Sequence, residues 1–304
     1  MLIELTKQIK LVRPEAKAMF PYSNSLFIDD EVKAMVDAGA GGKAYAQLPL
    51  DSINLLLLTH HHFDHVNGVS FFPNAKKMVG KEELWAFQDE VKYSLALGLH
   101  RWEELMGSPR EAIWERTINL PDDVPSKPDF HELEIAGVFK DGDVFAMGKT
   151  SFTAVHTPGH SPGHYAFFFP QESILFAGDL DVTPRGPWYG GEFCDLDDVI
   201  MSINKLISLK PRVLVSSHRR VIDSRVEELM RAYLDIALQR EDKILHYLAE
   251  PRTINDITNR GFISEWEQVS PYTIFWHKMM ITKHLTRLIN NGLVIKEDDK
   301  YIRV

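Results

Sequence analysis

Six consecutive residues constrain this chain more than any other feature. His60-His61-His62-Phe63-Asp64-His65 places four imidazoles and a carboxylate directly behind the aliphatic run Ile53-Asn54-Leu55-Leu56-Leu57-Leu58. As packing material the cluster is a poor choice, because crowded imidazoles repel one another when protonated. As ligands they make sense. His60 and His62 stand two apart, so an extended segment sends both rings to one side and begins the ligand set of one ion. Asp64 and His65 fall where the chain turns into a helix, aimed at a neighbouring position, and begin a second set.

Nitrogen and oxygen must do all the work. A single cysteine, Cys194, rules out a thiolate-rich zinc site and any intramolecular disulfide, and it reads as an inert buried thiol. Imidazole with carboxylate points to two divalent metal ions, zinc first, with iron or manganese compatible with the same donors. Short β-branched and aliphatic runs at 25–28, 34–37, 53–58, 152–155, 165–169, 173–177 and 213–215 read as strands. Three of them lead to further donors: Val155 to His160, Ala177 to Asp179, Val215 to His218. His160 would complete the first set and His218 the second. Asp179 is the natural bridging carboxylate, since Gly178 lets the backbone bend sharply beside the metals. Ligands remote in sequence would thus meet at one edge of a layered sheet structure.

Thr59-His60-His61-His62-Phe63-Asp64-His65 resembles the T-H-x-H-x-D-H signature of the metallo-β-lactamase superfamily. Val36-Asp37, Thr157-Pro158-Gly159-His160, Gly178-Asp179 and His218 follow in that family's order. The resemblance implies an α/β fold, a four-layer αβ/βα sandwich, and a hydrolase whose nucleophile is a hydroxide bridging a dinuclear site. Carried over by position, His60, His62 and His160 hold one metal, Asp64, His65 and His218 the other, and Asp179 bridges. Asp64 is also the catalytic carboxylate that orients the hydroxide. Asp37 matches an aspartate that accepts an imidazole N–H and fixes the ring's tautomer. His61 occupies the motif's variable position and should point away; His164 reads as a supporting residue. One departure stands out: where many relatives place proline-glycine before the last histidine and glycine after it, this chain has Ser216-Ser217-His218-Arg219-Arg220, which puts a guanidinium pair near the second metal. Arg219 and Arg220 could receive a substrate carboxylate or phosphate, or pair with the protein's own acids.

The expected organisation is a catalytic domain over 1–223 and a C-terminal module over 224–304. Within the first, a helical insertion at about 81–128 shows Leu84, Phe87, Val91, Leu95 and Leu99 at helical spacing. In the second, a long amphipathic helix from Ser224 stops at Glu250-Pro251, and Thr253 caps a short one. A helix over 273–290 with Ile281, Leu285, Leu288 and Ile289 on one face precedes a hairpin about Asp298-Asp299. That order suggests a winged-helix-like module, serving as a homodimer interface or as a cover over the site mouth.

The ligands do not name the substrate. A formal net charge of −9 argues against nucleic acid as the main partner. A small ester or thioester, as for the hydroxyacylglutathione hydrolases of glyoxalase II type, is the first expectation. The layout is also similar to the lactamase-β-like protein 2 subgroup, which acts on RNA, so a phosphodiesterase or endoribonuclease is the alternative. Lys278, Lys283 and Arg287 are then the cations to watch, although they read as a solvated face. A reading of another class is a non-catalytic metal-binding regulator acting through the C-terminal module. Trp188 and Tyr189, in Arg185-Gly186-Pro187-Trp188-Tyr189-Gly190-Gly191, are candidate substrate contacts. No apolar run approaches the ~20 residues of a membrane span, and the first residues lack a signal-peptide pattern, so a cytoplasmic protein is expected.

Overall fold

The computed structural model describes residues 1–110, 119–263 and 270–304. Two sheets face each other. The first has seven strands in sequence order: β1 (Leu2–Glu4), β2 (Ile9–Val12), β3 (Ser25–Ile28), β4 (Ala34–Val36), β5 (Leu55–Leu58), β6 (Lys76–Gly80) and β7 (Gly137–Phe139). Its first four strands are antiparallel and its last four parallel. The second sheet contains β8 (Val144–Ala146), β9 (Ser151–His156), β10 (Tyr165–Phe169), β11 (Ile174–Phe176) and β12 (Val213–Val215), in the spatial order β12-β11-β10-β9-β8.

Side-chain alternation builds the layers. Ile9, Leu11, Leu26, Ile28, Val36 and Leu57 meet Phe152, Phe167, Phe169, Phe176 and Val215 between the sheets. The other face of the first sheet, through Val12, Met35, Leu56 and Leu58, packs under Tyr45, Phe72 and Phe87. The other face of the second, through Val155, Ala166, Leu175 and Leu214, is covered by Leu196, Val199, Ile203 and Leu206 together with residues of the C-terminal third. With both faces covered, β5 can be four leucines in a row rather than an alternating strand. The expected four-layer sandwich is present.

Parallel pairing then positions the site. Val36 lies opposite Leu57 and Phe176 opposite Val215, so in each pair the segments beyond the carboxyl ends emerge side by side. Those segments carry Asp37 with His60, and Asp179 with His218.

The insertion differs from its expected form. Two 3-10 turns, Lys81–Phe87 and Leu99–Arg101, alternate with short helices, Glu90–Ala96 and Trp102–Met106. Gly98 and Gly107, both at φ 72°, break the run. Val91 and Leu95, both on Glu90–Ala96, are 71% and 40% exposed, so the spaced apolar residues do not form one buried stripe. The part of this segment at 111–118 lies outside the described residues.

The C-terminal third contributes three helices: α1 (Val226–Tyr247), α2 (Ile254–Asn259) and α3 (Pro271–Asn290). Thr253 caps α2 with a reciprocal capping box through Asp256. A three-stranded sheet, β13 (Arg252–Thr253), β15 (Lys300–Arg303) and β14 (Val294–Glu297) in that spatial order, packs beside them, with the β14–β15 turn at Asp298-Asp299. Ile281, Leu285 and Leu288 are buried as the spacing predicts, whereas Ile289 is 38% exposed. The cations of α3 are not a solvated face. Lys278 is buried and donates to Leu105 O and Asn255 Oδ1, Lys283 donates to Glu192 O, and Arg287 pairs with Asp197 and Glu241. Among the described residues no helix is long and apolar enough to cross a membrane.

Candidate metal centre

Four chain segments converge at the carboxyl ends of the strands. β5 delivers His60, and the short helix Phe63–Val66, with His62 at its N-cap, carries Asp64 and His65. The β9–β10 connection supplies His160, the turn after β11 supplies Asp179, and the turn after β12 supplies His218. Two groups result, each with its donor atoms within 4.8 Å of one another: His60, His62, His160 and Asp179; and Asp64, His65 and His218. Asp179 stands between them. Its Oδ2 lies 3.3 Å from His160 Nε2 and 3.7 Å from His60 Nε2, while Oδ1 lies 2.9 Å from His65 Nε2 and 3.3 Å from His218 Nε2. Asp64 Oδ2 is 3.3 Å from His218 Nε2.

The surrounding hydrogen bonds fix which ring nitrogen faces inward. His65 Nδ1 donates to Asp37 Oδ2 at 2.8 Å. Thr59 donates its backbone N–H to Asp37 Oδ1 and its hydroxyl to Oδ2, which leaves the Thr59 oxygen to accept from His60 Nδ1 at 2.9 Å. One buried carboxylate thus sets the tautomer of one imidazole directly and of another through a threonine. It does so from a left-handed backbone, φ 59°, rarely adopted by a residue other than glycine. His160 Nδ1 donates to Trp188 O at 3.1 Å and His218 Nδ1 to Ala18 O at 3.2 Å. The Nε2 atoms of His60, His65, His160 and His218 face Asp179, and His160 Nε2 also meets His62 Nδ1 at 2.9 Å.

That arrangement fits divalent cations and little else. His60 Nε2, His65 Nε2 and Asp179 Oδ1 are buried and make no hydrogen bond. A lone pair facing a carboxylate oxygen at 2.9 Å is repulsive unless a cation or a proton intervenes. Without a metal, protons take that role. Burial disfavours charge on His65, but Asp179 and Asp37 outweigh it and hold its imidazole well above the usual range. His218 is pushed up to about 10, again against burial, by Asp179 and Asp181. His60 and His62 go the other way, well down, through burial and their imidazole neighbours. At about 10, His218 still carries the extra proton at pH 7 when no metal is bound, and His65 is shifted in the same direction, so a cation must displace a proton. Zinc binding at pH 7 is therefore expected to release at least one proton, and its affinity to fall as pH drops. The dependence of the calorimetric binding enthalpy on buffer ionisation heat measures this; zero proton release would contradict it.

Around the two groups the sequence expectations meet mixed outcomes. His61 does turn away: its Nδ1 bonds to the buried Glu83, whose Oε2 accepts the Gly163 N–H at 2.8 Å. His164 sits under Asp179. It accepts the Asp179 N–H on Nε2 at 3.1 Å, donates from Nδ1 to Thr157, and burial holds it down at about 3 and so neutral. Gly178, at φ 54°, is in contact with the same ring, and a methyl group there would overlap it. Trp188 lies edge-on to His62, ring centres 5.5 Å apart, and 5.3 Å from the His160 ring, half-buried. Tyr189 does not join it. It is fully buried, with its hydroxyl on His284 Nε2 at 2.8 Å and on Arg240. The expectation of a substrate contact at Tyr189 is corrected accordingly: it anchors packing.

Arg219 is half-buried and Arg220 exposed, beside His218. The backbone here is pinned by Asn24, whose Nδ2 donates to the carbonyls of Ser216 and Arg219 at 2.8 and 2.9 Å. Cys194 is buried, and burial pushes its thiol up to about 12. Two carboxylates were not anticipated. Glu83 ties the His61 and Gly163 loops together, and Asp181 accepts the His218 N–H at 2.8 Å, with burial raising it to about 6. Asp181 also forms a third donor group with Asp179 and His218. Its signal was the second carboxylate in Asp179-Leu180-Asp181, two residues beyond the expected bridging aspartate.

Residues 19–218 match the family model described as the metallo-beta-lactamase superfamily. Among curated relatives, the chain is 26% identical over 235 residues to an atrochrysone carboxyl ACP thioesterase of Aspergillus fumigatus, covering 74% of this chain and 60% of that protein. It is 26% identical to a beta-lactamase-like protein 2 homolog of Drosophila melanogaster, covering 79% and 70%. A hydroxyacylglutathione hydrolase of Cereibacter sphaeroides is 28% identical, covering 54% and 48%. The match thus spans about three fifths of the Aspergillus protein and less than half of the Cereibacter one. A metallo-beta-lactamase family protein from Thermus thermophilus superposes with a TM-score of 0.77 at 22% identity, over 99% of this chain and all of that one. The likeness extends through the C-terminal third.

Proposed function

The chain belongs to the metallo-β-lactamase superfamily, and from that premise we propose that it is a dinuclear metal-dependent hydrolase of a small ester or thioester. The observation that carries this reading is the placement of Asp179 between two groups of imidazole and carboxylate donors, each gathered within 4.8 Å. His60, His62 and His160 would hold one ion, Asp64, His65 and His218 the other, with Asp179 shared. Bound there, two divalent ions, zinc first among the candidates, supply a water acidic enough to act as a nucleophile near neutral pH and positive charge for an oxyanion.

The chain's own groups do the rest. Asp37 keeps His60 and His65 in the tautomer that presents Nε2. Asp64, buried beside His218, would orient the attacking water and receive its proton. Trp188 walls the His62 and His160 side, where it offers a flat apolar surface to an acyl group. Arg219 and Arg220, next to His218, would meet a carboxylate on the far end of the substrate.

An acidic chain supports a small substrate over a polyanion, and the names carried by the Aspergillus and Cereibacter relatives point to thioesters. A phosphodiesterase acting on RNA is the second reading, from the Drosophila relative's subgroup. It loses support on α3, whose Lys278, Lys283 and Arg287 are spent on internal partners. We read 224–304 as a winged-helix-like module on the order of its helices and the β13-β15-β14 sheet, and 1–223 as the catalytic domain.

A screen of zinc-, iron- and manganese-loaded protein against thioesters, lactones, phosphodiesters and short RNAs tests the substrate class. Thioester turnover that chelation abolishes and metal restores is the expected result. Turnover of RNA alone would replace the substrate, and metal-independent turnover would remove the mechanism.

A further inference from the structure

His160 is held in place by a loop. The segment 183–194 contains no helix or strand, yet it grips His160 from two sides. Trp188 O accepts the ring's Nδ1–H at 3.1 Å, and the Cys194 thiol donates to the His160 carbonyl at 2.9 Å. The first contact decides which nitrogen faces the donor group.

What fixes the loop comes from the C-terminal third. Arg240, on α1 and only 5% exposed, donates from Nη2 to the carbonyls of Arg185 and Ile263, and from Nη1 to Pro187 O at 3.2 Å and Tyr189 Oη at 3.3 Å. From α3, His284 meets the same Tyr189 hydroxyl at 2.8 Å, and Lys283 donates to Glu192 O at 2.6 Å. The fit is close: a methyl group on Gly186 would lie 2.5 Å from Ile236 Cγ2. Arg185, Pro187 and Tyr189, alternate residues of the loop, thus hang from one guanidinium. Trp188, whose carbonyl orients His160, lies between the last two.

We propose that Arg240 is a positioning residue of the metal centre, acting through the 183–194 loop to hold the Trp188 carbonyl on His160 Nδ1. The C-terminal module would then be part of the site's scaffold. A planar fork with fixed donors suits this task. A lysine, whose charge is a single point, cannot span the same acceptors. Removing a group that orients a metal-bound imidazole typically costs roughly 10- to 100-fold in metal affinity.

The inference rests on His160 being a ligand, so the test separates the two ideas. Zinc affinity is measured by competition with a chromophoric chelator for the unaltered protein and for H160A, R240M, R240K and L234A, with thermal midpoints alongside. Leu234 is buried on the same helix, and L234A reports what loss of packing alone does. Expected are a large loss of affinity in H160A, a loss of roughly 10-fold or more in R240M and in R240K, and none in L234A despite a lowered midpoint. Unchanged affinity in R240M with weakened H160A would overturn the role of Arg240 alone. Unchanged affinity in H160A would overturn the ligand assignment. Equal losses in L234A and R240M would reduce Arg240 to general stability. Should R240M not fold, Y189F removes one acceptor of the same fork while keeping the ring, and zinc affinity identical to the unaltered protein would count against the proposal.

Discussion

Asp179→Asn protein is expected to retain at most one zinc ion per chain after dialysis and to turn over substrate at least about a thousandfold more slowly, some ~4 kcal/mol of barrier. The substitution keeps the shape of the side chain, so what it removes is charge and one acceptor. Oδ2 faces His160 and His60, and Oδ1 faces His65 and His218. Either orientation of an amide leaves an NH2 group on one side, where it can donate to an inward Nε2 and occupy the lone pair a cation needs. The fold should survive, because the backbone N–H of residue 179 is held by His164 whatever the side chain. Metal content by elemental analysis and a rate with the best screened substrate check both halves. Two tightly held ions at the normal rate would show that Asp179 is not shared.

Gly39→Ala is expected to be the most damaging single methyl group in the sandwich. A Cβ at Gly39 would overlap the carbonyl oxygen of Asp64 and the hydroxyl of Ser23, which itself donates to that carbonyl at 2.8 Å. Backbone has no rotamer to retreat into. The helix Phe63–Val66 would have to move as a piece, carrying Asp64 and His65 away from His218. Overpacking of this kind costs about 1–3 kcal/mol or more, and here the displaced atoms are donors. A lowered thermal midpoint together with loss of the ion on the Asp64 side is the expected result. Gly142→Ala, where nothing lies within 4 Å, is the comparison; its left-handed backbone alone should cost about 1–2 kcal/mol. Equal midpoints for the two variants would contradict this expectation.

How much of this was legible beforehand follows the range of the interactions involved. A strand running into clustered histidines is a local pattern, and the structure brings His60, His62, Asp64 and His65 together with His160, Asp179 and His218 as spacing and family order anticipated. The four-layer sandwich was legible through the family resemblance that those motifs carry. β1, β2 and β6 to β8 escaped because they are short and mixed in polarity, as Lys10 between Ile9 and Leu11 illustrates. The helix Leu196–Ser208 was readable in principle: Asp195 caps it, and Leu196, Val199, Ile203 and Leu206 line one buried face. Glu83, Arg240 and the inward turn of Tyr189 leave no local trace. Each acquires its meaning from a partner tens of residues away, Gly163 for the first and contacts between α1 and the 183–194 loop for the others. The insertion departed from its expected form because apolar spacing does not distinguish the 3-10 segment Lys81–Phe87 from an α-helix.

The Asn24 side chain has a bearing on when the centre can form. It reaches across 192 and 195 residues of sequence to hold the backbone on either side of His218, so the last imidazole is placed by a residue near the other end of the sandwich. Closing so long a loop is entropically slow, and nothing repays that cost until the strands between are paired. During synthesis the histidines of 60–65 leave the ribosome early, while their final partner and its anchor meet late. The centre is thus a product of completed folding and cannot serve as its nucleus, and any early metal capture would be by an unfinished set of ligands.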